Sequence, residues 1–527
     1  MKPENFRQFI HNIGNSQILT TNRKYFLEAA IVLAFCILAI NWISPQTNAL
    51  YFLLIFPAIF FAVLLFYLIA KILQRPEFGF AVIALFLPFE RIGALATSDY
   101  NIRLSQIFIL ITFIAYVLFY LYKSKDKFGG IEIKRDLTFV IIILFSVVQI
   151  VSLSGAANKA RSIEVLGFDL FIFFAYIFLS NLLVSKDILK KIIVMIFSIS
   201  IVISMYGLFQ FVAGTLNLPL SISGLEAGYS TIGSFNFPRV QATESEPQFW
   251  GNFLLIPIAL SLSIILASFG KKLGEDSGVS YKLLFGAIIT FILAMVNLLL
   301  TFSRGAWYAT GFIFILLIFF YIRKFLTLRV VMTLLVSLVI LVGGLVFVLS
   351  SSKSTITLQS LTDRATQVED ADRDLTSSYA IQFFQSHPVL GVGVGSFGPL
   401  LAPNIYQQPN AYGQSIGWRI VNNEYLEILA ETGLVGMAVF ALFLIVVIRN
   451  ILVALYKQTD YYTHTILLGL GAAFGAMLIQ YIAFSTLYIT QVWFLFALVE
   501  AVAFNITTNS WKSDSTPSTT STKTSLT

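Results

Sequence analysis

Long apolar runs, separated by shorter polar connections, recur along nearly the whole sequence. Most runs approach twenty residues, the length that an α-helix needs to cross the roughly 30 Å hydrocarbon core of a bilayer. The runs are continuous rather than alternating with polar residues, so they predict helices and not the strands of a membrane barrel. The pattern therefore predicts an all-α fold, a polytopic transmembrane helix bundle of 12–14 spans. The predicted spans cover residues 25–44, 49–70, 77–92, 104–122, 137–155, 165–184, 188–212, 247–269, 283–302, 305–322, 330–350, 434–450, 465–484 and 489–507.

The third of these runs, residues 77–92, is the shortest and ends with Pro88, Glu90 and Arg91. These residues are typical of a short, broken helix, which is tolerated at membrane depth where other protein covers it. If this run does not cross the bilayer, a second predicted span must also be wrong. The alternation of basic and non-basic connections fixes whether the number of spans is even or odd.

One long polar segment, residues 351–436, interrupts the pattern between the eleventh and twelfth predicted spans. A bundle of crossing helices must carry this segment on one side of the membrane, where it folds over the mouth of the bundle. The predicted organisation is a cytoplasmic N-terminus, a transmembrane bundle, a large extracytoplasmic loop, an amphipathic helix with the last spans, and a disordered cytoplasmic tail rich in Ser and Thr. These parts cover residues 1–24, 25–350, 351–424, 425–507 and 508–527.

Charge and cysteine content support a membrane protein and fix its predicted orientation. Only 12% of the residues are charged, about half the share in a soluble domain. The single cysteine, Cys36, excludes a disulfide framework. Of the 34 Lys and Arg residues, 24 fall in alternate connections, which are predicted to be cytoplasmic because basic loops resist translocation. Both termini are therefore predicted on the cytoplasmic side of the membrane, and the long loop on the other side.

The basic residues that remain outside point to an anionic ligand. Eight of the ten are arginine, whose planar fork binds phosphate oxygens in a bidentate manner. Arg304 lies between two apolar runs joined by almost nothing, and Arg239 lies in a polar segment with Glu244 and Glu246. The alternative for each arginine is an ion pair with a nearby carboxylate or an anchor to lipid phosphates.

Within the long loop, apolar residues at helical spacing predict an amphipathic helix that ends at His387-Pro388 and lies on the membrane or on the bundle. A glycine-rich turn, GVGVGSFG, follows at residues 391–398 and is expected to bring its backbone close to a neighbour or ligand. Asp370, Asp372 and Asp374 alternate as in a calcium loop, but the required glycine and the terminal glutamate are missing, so no metal site is predicted.

The end of the loop predicts the start of another helix. Asn423 is a candidate N-cap, and Glu424 and Glu427 fall in the first turn, where the helix dipole favours carboxylates. Glu424, Glu427 and Glu431 share one helical face. This face is either solvated or functional, with one glutamate meeting the arginines or acting as a base.

Four sequence segments together carry a family resemblance. PRVQATESEPQFWGNFLL at residues 238–255, FSRGAW at 302–307, SHPVLGVGVGSF at 386–397 and NNEYLEILAETGLVG at 422–436 resemble the O-antigen ligase and polymerase superfamily of bacterial envelope glycosyltransferases. The resemblance covers about residues 200–505; residues 1–200 match only in hydropathy. It implies a metal-independent, multi-span enzyme of the bacterial plasma (inner) membrane, without a cofactor, in which arginines bind the diphosphate of a polyprenyl (undecaprenyl) carrier.

From the residues and the resemblance together we predict a membrane glycosyltransferase that transfers or polymerises glycan outside the cytoplasm, with inversion, in cell-surface polysaccharide biosynthesis. Its expected partners are a polyprenyl-diphosphate-linked glycan, a glycan or lipid acceptor and membrane lipid, and no nucleic acid. The predicted catalytic residues are Glu424, Arg304 and Arg239. The predicted substrate-binding residues are Arg373, Arg419, Arg161, Asn422, Asn423 and Glu246.

One departure separates this sequence from the ligases it resembles. Those ligases usually carry a histidine followed by asparagine where this chain has Asn422-Asn423. Asparagine cannot accept a proton at neutral pH, so a polymerase-like or divergent member is favoured over a lipid-core ligase. Two other classes stay open: a lipid-linked oligosaccharide flippase or polysaccharide transporter, and a non-catalytic scaffold. A transporter is expected to carry more ionisable residues at mid-bilayer than this chain, where Asp169 and Glu500 are the exceptions.

Overall fold

The computed structural model describes ten stretches of the chain: residues 49–91, 95–96, 101–123, 136–183, 185–226, 238–269, 279–325, 369–402, 420–458 and 460–511. The predicted spans 25–44 and 330–350 lie outside the described residues, as do the predicted N-terminal segment 1–24 and all but the first four residues of the predicted tail 508–527.

The described residues are almost entirely helical. In chain order the helices are α1 Ala49–Gln74, α2 Phe78–Phe86, α3 Leu104–Lys123, α4 Leu137–Ser152, α5 Lys159–Leu182, α6 Lys186–Thr215, α7 Leu220–Ser223, α8 Pro247–Ser268, α9 Tyr281–Leu300, α10 Arg304–Phe325, α11 Glu369–Ser386, α12 Phe397–Leu401, α13 Glu424–Lys457, α14 Tyr461–Gln480 and α15 Thr490–Thr508. A 3-10 turn, Leu153–Gly155, follows α4. Two strands of two residues, β1 Leu95–Ala96 and β2 Asn101–Ile102, pair antiparallel with Leu95 opposite Ile102.

Short polar side chains start several of the long helices. Each accepts a hydrogen bond from a backbone N–H in the first turn, which satisfies a donor that the helix itself leaves without a partner. Asp136, Asn158, Ser185, Ser280 and Asp460 cap α4, α5, α6, α9 and α14 in this way. The sequence alternates between such caps and apolar runs, and this alternation fixes where the helices begin.

Nine helices of the described residues are long and apolar enough to cross a membrane, and two more apolar helices are shorter. The chain is therefore an all-α polytopic membrane protein, as the apolar runs predict. The predicted third span is wrong as a full crossing, because α2 has nine residues and extends only about 13 Å. Pro88 follows this helix and prevents its continuation.

The chain divides into two compact units, and two of the boundaries between them fall inside α2 and α3. The first unit covers residues 1–82 and 107–132. Within it, α2 packs closely on α3, because a Cβ at Gly79 would lie 2.3 Å from the Thr112 side chain. The second unit covers residues 83–106 and 133–527 and contains all the features discussed below.

In the second unit α8 is the central helix, with 94% of its apolar window buried. It packs against α9, α10 and α14 and touches α6. A second group of helices consists of α4, α5, α13 and α15, in which α4 and α15 both pack on α13 and α5 packs on α15. Helix α14 joins the two groups through its contact with α15.

Part of the long polar segment folds onto this second group. The predicted amphipathic helix is confirmed as α11, which packs on α13. A small apolar cluster holds it there, formed by Ala380, Phe397, Leu401, Val421 and Ala430. Of the two surfaces that the sequence leaves open for this helix, the structure selects the bundle.

A candidate active-site cavity

Connections that the sequence predicts on the extracytoplasmic side meet at one end of the second unit. The Oε2 atom of Glu424, at the end of the long loop, accepts hydrogen bonds from the backbone N–H groups of Thr486 and Leu487, at 2.6 and 2.8 Å. The N–H of Val394 donates to the Ser152 hydroxyl at 3.2 Å. The Arg103 guanidinium reaches the carbonyl of Tyr488 at 3.4 Å. Four separate connections are thereby fixed around one point.

A cavity of about 350 Å³ lies at this point; we refer to it as the acidic cavity. Among the described residues, its lining carries two arginines and five carboxyl side chains. Its lining comprises Arg103, Gln106, Phe145, Gln149, Arg161, Glu164, Val165, Phe168, Asp169, Val394, Gly395, Phe397, Gly398, Ile420, Glu424, Glu427, Ile428, Glu431, Thr432, Ser485, Leu487 and Tyr488.

The glycine-rich turn, residues 391–398, forms one wall of the cavity. Gly391, Gly393 and Gly395 have φ values of 69°, 100° and 69°, a region that L-residues rarely adopt. A Cβ at Gly393 would lie 2.8 Å from the Cα of Ala156 and 2.9 Å from the carbonyl oxygen of Ser152. The predicted close approach of this backbone to a neighbour is therefore confirmed.

A break in α13 makes room for the glycine-rich turn. Gly433 has φ 66° and ψ −165°, which ends a first helical segment at residue 432 and starts a second at residue 434. The carbonyl groups of Ala430 and Glu431, freed by this break, accept the N–H groups of Val392 and Gly393, both at 2.9 Å. The predicted span 434–450 starts with this second segment, which continues to Lys457.

Glu431 fixes the turn with its side chain. Its two carboxylate oxygens accept the backbone N–H groups of Gly395 at 2.8 Å and Phe397 at 3.0 Å. The side chain is 7% exposed. Hydrogen bonds of a carboxylate to backbone N–H groups are stronger than those between neutral groups, so Glu431 links α13 firmly to the cavity wall.

Glu424 and Glu427 differ in how far their oxygens are engaged. Glu424 is 2% exposed and holds the 486–487 backbone through Oε2. The Oε2 atom of Glu427 accepts one longer hydrogen bond, at 3.3 Å, from the N–H of Val421. Asn423 caps the helix by accepting the N–H of Leu426 at 3.1 Å, so the predicted N-cap and acidic first turn are confirmed.

The opposite wall comes from α4 and α5. Arg161 pairs with Glu164 at 3.3 Å, and both side chains remain partly exposed. Asp169 lies two turns further along α5, where its Oδ2 accepts the side-chain amide of Gln149 at 2.8 Å. Asp169 is 5% exposed, so its carboxyl group belongs to the deeper part of the cavity.

Arg103 links the cavity to two further buried carboxyl side chains, those of Glu90 and Glu244. Its Nε lies 3.2 Å from Glu90, which is 2% exposed. Glu244 is fully buried and interacts with both Glu90 and Arg103. Burial raises the pKa of Glu244 well above the usual range, the neighbouring Glu90 carboxylate raises this pKa further, and Arg103 lowers it. Arg103 therefore lies between the two carboxyl groups of Glu90 and Glu244 and the Tyr488 end of the cavity.

Of the two arginines that the sequence predicts to be catalytic, Arg239 contacts the α9–α10 turn and Arg304 lies at the end of this turn. Arg239 is 7% exposed, and its Nε donates to the carbonyl of Thr301 at 3.1 Å. Arg304 begins α10, three residues beyond Thr301. Neither arginine is among the residues that line the acidic cavity. Their predicted catalytic roles stay predictions.

The other predicted site residues are spread over the same end of the unit. Arg161 and Glu424 line the cavity. Glu246 is the N-cap position of α8, and Arg373 lies on α11. Asn422 has a φ of 57° and directly precedes the α13 cap. Arg419 lies outside the described residues. The binding roles predicted for these residues stay predictions.

Several cavity residues carried no predicted role. Arg103 is one of the ten basic residues predicted outside the cytoplasm but has no predicted role of its own, and Glu164 and Gln149 carry no signal in the sequence. Asp169 did carry one, since a carboxylate in an apolar span indicates a functional site. The shared face of Glu427 and Glu431 was visible in the sequence, but their partners across the cavity were not. Within the described part of the chain, no group of three His, Cys, Asp or Glu side chains is placed to hold a metal ion.

The arrangement suits binding of a molecule with both anionic and hydroxyl-rich parts. Arginines can bind phosphate oxygens, while carboxylates can accept hydrogen bonds from hydroxyl groups or remove a proton from one of them. The four aromatic side chains of the lining, Phe145, Phe168, Phe397 and Tyr488, offer apolar faces.

One segment of the chain matches a known family. Residues 289–441 match the family model described as O-antigen ligase. The match runs from α9 through the glycine-rich turn to the acidic start of α13, and so includes one wall of the cavity but not Arg103, Arg161 or Asp169. No curated protein matches the chain. The matched segment, together with the membrane-spanning bundle that carries it, supports the predicted resemblance to the O-antigen ligase and polymerase superfamily.

Proposed function

We propose that the chain is a glycosyltransferase that transfers or polymerises glycan from a polyprenyl-diphosphate-linked donor on the extracytoplasmic face of the plasma membrane. The observation that carries this proposal is the acidic cavity, in which Arg103 and Arg161 stand near several carboxylates. The family match supports the reaction class, and the cavity supplies groups suited to it.

The reaction needs a bound diphosphate, an acceptor hydroxyl and a base. Arg161 and Arg103 are the arginines of the cavity, and they hold the diphosphate oxygens and stabilise the charge that develops as the diphosphate leaves. The acceptor oxygen attacks C1 of the donor sugar from the opposite face, which inverts the configuration. A cavity of this kind contributes to the rate mainly by fixing the acceptor next to C1.

Two carboxylates are candidates for the general base. Glu424 is the base that the sequence predicts, and its Oε1 remains for this role because Oε2 holds the 486–487 backbone. Glu427 lies one turn further along the same face, with a single longer backbone hydrogen bond. Amide variants of each residue separate the two assignments, since only loss of the true base removes proton transfer.

Arg239 and Arg304 form a second part of the proposed site. Their place at the α9–α10 turn puts them on the bundle end that also carries the cavity, where they can bind the carrier's phosphates before or after transfer. A diphosphate leaving group needs no metal ion where several guanidinium groups neutralise it.

The test is transfer by purified protein in proteoliposomes, with a polyprenyl-diphosphate repeat unit as donor and a second repeat unit or a lipid-linked core oligosaccharide as acceptor. Formation of longer carrier-linked chains supports a polymerase, and transfer to the core supports a ligase. No transfer to either acceptor by folded protein contradicts the proposal. A flippase instead moves the donor across the bilayer without forming a new glycosidic bond.

Deletion of the gene distinguishes the same alternatives in cells. Single repeats left on the carrier identify a polymerase, whereas long chains left on the carrier identify a ligase. An unchanged surface polymer contradicts both assignments.

A further inference from the structure

A short segment after α11, residues 388–390, is bonded to α13 at the break in that helix. The N–H of Leu434 donates to the carbonyl of Pro388 at 2.9 Å, and the N–H of Val435 donates to the carbonyl of Val389 at 3.2 Å. Leu434 and Val435 are the first residues of the second α13 segment, which belongs to a helix long and apolar enough to cross a membrane. These bonds therefore hold residues 388–390 beside the start of a membrane-spanning segment.

The side chains that meet at these bonds are apolar and exposed. In the described part of the chain, Val389 and Leu390 are 60% and 37% exposed, and Leu434 and Val435 are 56% and 38% exposed. We refer to these four residues as the apolar patch. Neighbouring apolar side chains that are exposed together mark a surface for a membrane or for another protein.

The apolar patch continues the outward face of α13. Beyond Leu434, exposed apolar residues recur along this helix at helical spacing, at Ala438, Leu442, Ile445 and Ile448. A membrane-spanning helix presents such a stripe to the acyl chains of the lipid. The patch lies at the end of the stripe nearest the acidic cavity, which the first α13 segment lines.

Helix α4 brings a second lipid-facing stripe to the same place. This helix packs on α13, and its exposed apolar residues also recur at helical spacing. They are Val140, Ile143, Leu144, Val147, Ile150 and Val151. Beyond them, a Cβ at Gly155 would lie 3.5 Å from the carbonyl oxygen of Gly391, the residue after Leu390. The outward faces of two neighbouring spans therefore converge on residues 388–391.

Helix lengths place this segment at the edge of the hydrocarbon core, which is about 30 Å thick. Residues 137–155, which are α4 with its 3-10 turn, extend roughly 30 Å, and the second α13 segment, residues 434–457, extends about 36 Å. The far ends of these helices carry the charged residues Asp136 and Lys457, which belong outside the hydrocarbon. Measured from those ends, residues 155 and 434 both fall close to the opposite edge of the core.

The surrounding sequence allows this position because it is uncharged. Between Asp374 and Arg419 the sequence contains no Asp, Glu, Lys or Arg, although this stretch belongs to the long polar segment. The end of α11, residues 388–390 and the glycine-rich turn can therefore approach acyl chains without the cost of bringing a charge to the hydrocarbon.

We propose that Val389 and Leu390 insert into the leaflet on the cavity's side of the bilayer, where they contact lipid acyl chains together with the outward faces of α4 and α13. The glycine-rich turn follows directly, so this contact also fixes the height of the cavity wall relative to the membrane. The inference does not depend on the proposed function, because it requires no reaction.

The test measures what surrounds a spin label at these positions. Cys36→Ser removes the single cysteine of the chain, and Val389→Cys or Leu390→Cys then introduces one for a nitroxide label. The full-length protein is reconstituted in phosphatidylcholine vesicles. Electron paramagnetic resonance measures the accessibility of the label to oxygen, which concentrates in hydrocarbon, and to a water-soluble nickel chelate. We expect both labels to be more accessible to oxygen than to the chelate.

Two matched labels calibrate the result. Leu442→Cys lies on the lipid-facing stripe of α13, and Asp374→Cys lies at an exposed position in the charged first part of α11. The ratio of oxygen to chelate accessibility at positions 389 and 390 should approach that at position 442 and exceed that at position 374. A ratio like that at position 374 places the segment in water and overturns the inference. Low accessibility to both reagents shows that protein covers the segment, and it overturns the inference as well.

A photoreactive amino acid at position 389 supplies a second readout without a cysteine substitution. Irradiation in the same vesicles should cross-link it to lipid, as at position 442 and unlike position 374. A cross-link that forms only within the protein overturns the inference.

Discussion

The carboxylate of Glu431 accepts the backbone N–H of Gly395 at 2.8 Å, across 36 residues of sequence. This bond joins the acidic start of α13 to the glycine-rich turn, and a second bond to Phe397 completes the link. These two bonds therefore hold the start of α13 and the glycine-rich turn together, and the geometry of the acidic cavity depends on them.

Replacing Glu431 with Gln should weaken this link between α13 and the glycine-rich turn. The glutamine offers one acceptor oxygen and presents an NH₂ group to the second backbone N–H, which leaves a buried donor without a partner. Such a loss costs about 1–3 kcal/mol. We expect a lower unfolding midpoint of the purified protein in detergent and reduced glycan transfer. Asp187→Asn, at an exposed ion pair, is the control, and equal midpoints for the two variants would contradict the role of Glu431.

Gly393→Ala should disturb the same wall from the other side. Its φ of 100° is strained for alanine by about 1–3 kcal/mol, and the new Cβ would also meet the backbone of Ala156. Gly286→Ala is the matched control, because this glycine lies inside α9 with nothing within 4 Å of the added Cβ. Alanine favours a helix, so the control should be neutral or slightly stabilising. Thermal unfolding checks this difference: the midpoint should fall in Gly393→Ala and should stay the same or rise slightly in Gly286→Ala.

The buried carboxyl of Glu244 should make stability depend on pH. Burial next to Glu90 raises its pKa in the folded state, so the folded protein holds this proton more tightly than the unfolded chain. The resulting stabilisation is fully present below the unfolded pKa, near 4.5, and is lost as the pH rises through the raised folded value. Glu244→Gln should flatten this part of the profile. Unfolding midpoints measured from pH 5 upward check it, and an equally steep fall in the variant would contradict the assignment.

Arginine-to-lysine variants separate two views of diphosphate binding. Lysine keeps the charge but loses the bidentate fork. If the cavity binds the diphosphate, Arg161→Lys should lower kcat/KM for transfer by about 100-fold, while Arg304→Lys has a smaller effect. The opposite order would favour the site that the sequence predicts at the α9–α10 turn. Lys191→Arg, at an ion pair away from the cavity, is the control.

Much of the fold could be predicted from the sequence because its elements are local. Apolar runs and polar caps predict most of the described long helices to within a few residues, and the Asn423 cap follows from its side chain and the two glutamates behind it. Helix α2 was predicted too long, because the apolar run continues to Leu87 and Pro88 although the helix ends at Phe86.

The cavity could be predicted only in part because its walls come from distant segments. Glu424, Glu427 and Glu431 share a face that 3.6-residue periodicity makes visible. Their neighbours Arg103 and Asp169 come from other helices, and no local pattern shows which helices pack together. The family match likewise covers residues 289–441 and leaves the opposite wall unmatched.

The central claim is that glycan transfer takes place in the acidic cavity. The most direct measurement is the rate of transfer from a polyprenyl-diphosphate glycan by purified protein carrying Glu424→Gln, Glu427→Gln or both substitutions. We expect the double variant to remain folded and to lose at least about 100-fold in kcat, with the single variants showing which carboxylate is the base. A folded double variant that transfers glycan at the unmodified rate would contradict the claim.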